Sequence, residues 1–291
     1  PVLLRLTVPR LNGHSYQDNQ AYKDDELLKS EKEKDPLNTL KKFMVPKMIS
    51  EKKWKELEKK NRDIAQKAAD DAWSRPDPDK GSITKYALFE NGDELQQVGG
   101  LFKEGFEFPD SSEEPSPEKQ RINIVEGVRR TLEYELDIND KVVVFGEDVG
   151  AKGGVHAATM GLQSKFGEDR VFDTSLSEEG IIGRAVGLAY AGLMPVAEIQ
   201  FRKYADPATE QIKNTGTIRW RTANKFAAPM VVRMPGGFAK CGDPWHSESN
   251  EVFFAHMIGW QVAYPSNAQD AVGLLRSAMR SNNPTIFFEH R

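Results

Sequence analysis

From residue 121 onward, short apolar runs alternate with stretches of helical period, and this constrains the fold more than any other feature. Residues 122–136, 178–193, 204–221, 250–257 and 268–279 read as helices, and 141–145, 195–201, 230–233, 261–264 and 285–288 as strands. The Lys141-Val-Val-Val-Phe145 run has no polar alternation, as expected of a strand buried on both faces. Helix and strand in turn imply an α/β fold, a mainly parallel sheet with helices on both faces. Gly183 and Gly187 within one helix suggest close packing there.

The sequence before residue 121 has a different character. Leu4, Leu6 and Val8 alternate with polar residues, so 2–8 reads as a strand that Pro9 ends, followed by a charged run to Lys34. Asp35-Pro36 is a helix start, with Asp35 as the cap, Pro36 in the first turn and Pro46 as the stop. A second helix is expected after Ser50, with Trp54, Leu57, Ile64 and Ala68 as its apolar stripe and a solvated Lys/Glu face. Proline-rich and acidic stretches at 75–79 and 109–118 mark 74–120 as a long linker that wraps over a surface, with one weak strand at 83–89. The organisation read from this is 1–73, 74–120 and 121–291.

Charge and composition exclude some functions. In 291 residues, 40 Lys+Arg against 44 Asp+Glu leave a net charge of −4, which argues against a nucleic-acid binder. The longest apolar run, 185–197, is shorter than the roughly 18–20 residues that cross a bilayer. A single cysteine, Cys241, allows no internal disulfide and fits a reducing cytoplasm. The chain opens on Pro1, which suggests a longer or processed protein. No phosphate-loop, dinucleotide or nucleophile-elbow motif is present.

Glu178 and Glu179 open a helix, where they complement its dipole. Glu178 also falls where α/β folds place ligands, at the carboxyl end of the sheet. His14 and His246 each precede a serine in a polar loop, a setting that carries function more often than its share. His256, in Phe253-Phe-Ala-His-Met257, reads as a packed helix position, and Cys241 lies near His246 in sequence.

Several blocks in order then resemble one family. They are Gly146-Glu-Asp-Val-Gly150, Gly153-Gly-Val155, Arg170-Val-Phe-Asp-Thr174, Leu176-Ser-Glu-Glu-Gly-Ile-Ile-Gly183, Ala197-Glu-Ile-Gln-Phe201, His246-Ser247 and Ile286-Phe-Phe-Glu289. Together they resemble the first half of the β subunit of thiamine-diphosphate-dependent 2-oxo acid dehydrogenases of the branched-chain or pyruvate type. Gly13-His-Ser15, Asp18 and Lys34-Asp-Pro36 resemble the end of the α subunit. The chain thus looks like a fused α-end and β-start, with a helical α-subunit-like tail, a linker and a transketolase-like pyrimidine-binding domain.

The resemblance implies that Glu178 hydrogen-bonds the aminopyrimidine of thiamine diphosphate and favours its imino form. Leu176, Gln200, Tyr204 and Glu147 are implied as cofactor-binding residues. His246 and His14 are implied near the reacting carbon, for substrate positioning and proton or acyl transfer. A 2-oxo acid would be decarboxylated and its acyl group passed to a lipoyl arm on an acyltransferase partner. Ser15 matches a serine phosphorylated in some relatives. A homo-oligomer of the full-length enzyme is implied, with no nucleic-acid or membrane partner.

There are departures. Ser175 stands where relatives often have Pro, Arg202-Lys203 where they have Ala-Asp, and Ser281 where a potassium loop has Asp. The family's Gly-Asp-Gly motif for the diphosphate and Mg²⁺ does not occur in this sequence, so no metal ligand is assigned and the chain is expected to be inactive alone. The diphosphate-binding and C-terminal domains are then partners. The competing readings are an acetoin dehydrogenase or transketolase-like enzyme and, in another class, an assembly or regulatory module built on the charged helices around Trp54.

Overall fold

The structure, a computed structural model, describes residues 3–90, 92–101, 107–110, 116, 118–237 and 244–290. It divides into two compact units, Pro1–Pro78 and Asp79–Arg291. The boundary falls inside the stretch expected as a linker.

In the first unit the expected strand does not form. Leu3, Leu4, Leu6 and Val8 are exposed, and no neighbouring strand among the described residues completes their hydrogen bonds. The charged run instead contains helix α1, Asp25–Glu33, whose Asp24 cap accepts from the Leu27 amide. Helix α2, Pro36–Met44, starts as expected, with Asp35 accepting from the Leu37 amide. Helix α3, Glu51–Trp73, is capped by Ser50 and buries Trp54 alone, so its Lys/Glu surface is solvated.

The second unit begins with residues that cling to the sheet domain. The weak strand expected at 83–89 is replaced by a 3-10 turn, Lys80–Thr84, in which Asp79 and the Ser82 hydroxyl engage the local backbone. Beyond it, Asn283 takes both the Phe89 amide (2.7 Å) and carbonyl (3.0 Å), and Asn282 accepts from the Leu101 amide (2.9 Å). Val98 forms an isolated parallel bridge with Phe226.

Then come α4 (Ile124–Ile138), β1 (Val142–Gly146), α5 (Leu162–Phe166), β2 (Val171–Asp173), α6 (Glu178–Tyr190) and β3 (Met194–Glu198). A 3-10 turn (Arg202–Ala208), α7 (Thr209–Gly216), α8 (Ile218–Arg221) and β4 (Val231–Gly236) follow. The last elements are α9 (Glu251–Ala255), β5 (Gln261–Ala263), α10 (Ala268–Met279) and β6 (Thr285–His290). The single helix expected at 204–221 is broken into three. Pro207 lies in the first piece, and Gly216 packs so close to Trp260 that a Cβ would sit 2.6 Å from its ring.

Among the described residues the six strands form one sheet, ordered β2-β1-β3-β4-β6-β5, with every pairing parallel. Alternate strand residues feed two cores. Val143, Phe145, Val232 and Phe288 pack with α6 and α7, whereas Val142, Val144, Val231 and Phe287 pack with α4 and α10. Each such side chain contributes roughly 1.5–3 kcal/mol by burial, which explains the unbroken apolar strand runs. Gly183 and Gly187 do not serve close packing, since a Cβ at either would meet open space. Among the described residues no helix is long and apolar enough to cross a membrane.

Candidate active site

Because every strand runs the same way, the carboxyl ends of β1, β2, β3, β4 and β6 share one edge. Glu147 follows β1, Gln200 lies two residues beyond β3, and Glu178 opens α6 after β2. The chain turns are shaped for close approach here. A Cβ on Gly146 would stand 2.6 Å from the Glu198 carbonyl, so β1 and β3 converge only because residue 146 has none.

Two pairs form. The Gln200 amide donates to the Glu147 carbonyl at 3.1 Å, and the Tyr204 hydroxyl bonds His246 Nε2 at 2.8 Å. The His246 ring also stacks on Phe201 at 4.2 Å between centroids, and Tyr204 meets Phe201 edge-on at 5.8 Å. The sequence offers no role for Phe201 beyond its place in the Ala197-Glu-Ile-Gln-Phe201 block, directly after Gln200 and three residues beyond β3.

Glu147 is 9 % exposed, and its Oε1 is buried without a hydrogen-bond partner. Burial, the largest effect, together with the charges of Glu178, Asp148 and Glu198, raises its carboxyl above the ordinary value. Glu178 is half-buried and close enough to act on it. A raised carboxyl contributes stability below its unfolded pKa and loses it as pH rises through the folded value. Glu147→Gln should therefore raise the thermal midpoint at pH 8 and lose that advantage at pH 4. Equal midpoint changes at both pH values would refute this.

The other expected residues are placed differently. Leu176 is 84 % exposed on the loop before α6. His14 belongs to the first unit, exposed, with its backbone amide on Asp18 Oδ2 at 2.7 Å. His256 is not packed; it is exposed at the end of α9, where Phe254 takes the inward position. Cys241 lies outside the described residues. Among the described residues no three His, Cys, Asp or Glu side chains group as a metal site. A cleft of about 970 Å³ opens on the other half of the same edge, lined by His156, Tyr264 and His290, but none of the expected residues lines it.

An open parallel sheet with carboxyl, amide, phenol and imidazole groups gathered at its carboxyl edge defines a ligand-binding α/β domain. The chain belongs to the transketolase pyrimidine binding domain family, whose profile matches residues 120–291. The profile of the dehydrogenase E1 component matches residues 1–80. Over 169 residues the chain is 45% identical to 2-oxoisovalerate dehydrogenase subunit beta of Pseudomonas aeruginosa, covering 58% of this chain and 48% of that protein. It is 41% identical over 171 residues to pyruvate dehydrogenase E1 component subunit beta of Bacillus subtilis, covering 58% and 53%. A transketolase from Leishmania mexicana superposes with a TM-score of 0.50 at 16% identity, over 63% of this chain and 28% of that one, a likeness of fold. The chain spans about half the length of the curated relatives it matches.

The site fits an aminopyrimidine. A buried carboxyl oxygen without a partner needs a hydrogen-bonding group beside it, and the ring's nitrogens and amine offer both donors and acceptors.

Proposed function

We propose that the enzyme to which this chain belongs decarboxylates a 2-oxo acid and passes the acyl group to a lipoyl arm on an acyltransferase partner. The observation that supports this reading is the buried Glu147 Oε1, which has no hydrogen-bond partner among the described residues and whose carboxyl feels the charge of Glu178, at the carboxyl edge. Glu178, Glu147, Gln200, Tyr204 and Leu176 would hold the aminopyrimidine of thiamine diphosphate. Once bound, that cofactor supplies the electron sink for the carbon–carbon bond that breaks. Glu178 would hold and move a proton at the ring. His246, oriented by the Tyr204 hydroxyl, would move a proton at the substrate's oxygen. His14 would serve the acyl transfer.

The Gly-Asp-Gly motif expected for the diphosphate and Mg²⁺ is absent from this sequence. The chain alone should therefore be inactive, and a diphosphate-binding domain and a C-terminal domain should complete it in a homo-oligomer. The reducing cytoplasm is the compartment that one cysteine suits.

The test uses the full-length parent, supplied with thiamine diphosphate and Mg²⁺. Dye reduction is followed over branched-chain 2-oxo acids and pyruvate, and activity with one class is expected. Silence across the panel from folded, cofactor-loaded protein would overturn the reading and turn attention to acetoin and ketose substrates.

A further inference from the structure

Arg202 is one of the two basic residues that depart from the resemblance, and its surroundings are unusual for a charge. Its side chain has no exposed surface. The guanidinium lies over the Tyr264 ring at 4.7 Å and the Phe288 ring at 4.6 Å. Nη1 donates to Glu251 Oε2 at 3.0 Å, while Nε and Nη2 are buried with no hydrogen-bond partner. Burying N–H donors unmet is costly. The two aromatic faces offset part of that cost through cation–π attraction, which strengthens when the cation is desolvated. Space is made by Gly236, where a Cβ would come 2.6 Å from Nε.

The neighbours give this placement a direction. Phe201 and Arg202 are consecutive, and they grip two points on one other segment. Phe201 stacks on His246, and Arg202 pairs with Glu251, the first residue of α9. Tyr204, in the same 3-10 turn as Arg202, bonds His246 Nε2. The residues between His246 and Glu251 are thus held at both ends by one short turn after β3.

We propose that Arg202 is a positioning residue for His246: its stacked guanidinium and its pair with Glu251 clasp the segment that carries the imidazole. Arg202 touches no reacting atom and acts through the histidine. This rests on the reading that His246 serves the reaction.

Two measurements test it. In the full-length enzyme, Arg202→Met should lower kcat about tenfold, the effect of losing one charge-assisted hydrogen bond. In a His246→Ala background the same change should alter kcat by less than about twofold, because the group it positions is gone. A fall of equal size in both backgrounds would overturn the proposal, since a merely structural role does not need the imidazole. The second measurement needs no activity. In the 291-residue chain, Arg202→Met should speed hydrogen exchange of amides 245–251 about tenfold, with α6 unchanged. Unchanged exchange over 245–251 would also overturn it. Glu251→Ala breaks the pair from its more exposed side and carries the same expectations, so a misfolded Met variant does not end the test. An enzyme silent on every 2-oxo acid would sink the functional reading, while exchange would still decide the clasp.

Discussion

Glu178→Gln is expected to lower turnover of the parent enzyme by about 10²–10⁴-fold and to leave the fold intact, the range a positioned proton-transfer group contributes. The glutamine keeps the size of the side chain and removes its charge and its capacity to take a proton. The stability at risk is the attraction of one carboxylate for the N-terminus of α6, about 0.3–1 kcal/mol against the roughly 5–15 kcal/mol that hold a domain together. Glu179→Gln is the control. Glu179 lies in the same first turn, is exposed, and should lose the same helix-end attraction with turnover unchanged. The comparison is kcat at saturating 2-oxo acid for the parent enzyme, with thermal midpoints for the 291-residue chain. If Glu178→Gln kept more than about a third of the activity, the assignment of Glu178 would fail, because no effect so small fits a proton-transfer role.

The elements best read from sequence are those whose information is local. The Asp35 and Ser50 caps bond backbone amides two and three residues away, and the runs of β1 and β6 are apolar because both sheet faces are covered. Elements decided by distant neighbours were not legible. The three residues of β2 are too few to show a period, and they form a strand because β1 offers Val144, Phe145 and Gly146 as partners. Residues 3–8 alternate correctly yet form no strand, because no partner strand stands beside them among the described residues. The site divides in the same way. Of the proposed site residues, Glu178 is read from its place at the carboxyl end of the sheet as well as from the resemblance, whereas Glu147 and Gln200 come from the resemblance alone; the parallel sheet brings their strand ends to one edge. Phe201 and Arg202 are meaningful only beside His246 and Glu251, which are more than forty residues away in the chain. No pattern in the sequence announces that pairing.

The largest effect on stability is expected from Arg233→Met. Arg233 lies on β4, fully buried, and donates to Glu198 at 2.7 Å and to Glu289 at 2.6 and 3.0 Å, so it joins β3, β4 and β6 at the level of the site. One guanidinium faces two carboxylates, which leaves a surplus negative charge. Burial, above all, raises the Glu198 carboxyl above its ordinary value, with the Arg233 charge opposing it. Removing the cation strands both carboxylates in the core. The loss of one partner from a buried pair costs about 3–5 kcal/mol, and for a domain of this size that lowers the thermal midpoint by roughly 6–20 °C. The deficit should depend on pH with a definite sign. Without Arg233 the burial that already raises the Glu198 carboxyl acts with no cation to oppose it, so the variant gains stability as pH falls and that group takes up a proton. Urea unfolding of both proteins at pH 7.5 and pH 5 should show a wide gap at the higher pH that narrows at the lower. A variant within about 1 kcal/mol of the parent at pH 7.5 would show that the network carries no such cost, as would a gap that widens on acidification. Adding Glu198→Gln and Glu289→Gln to Arg233→Met should recover much of the loss at pH 7.5, because the penalty comes from charge without a partner rather than from lost volume.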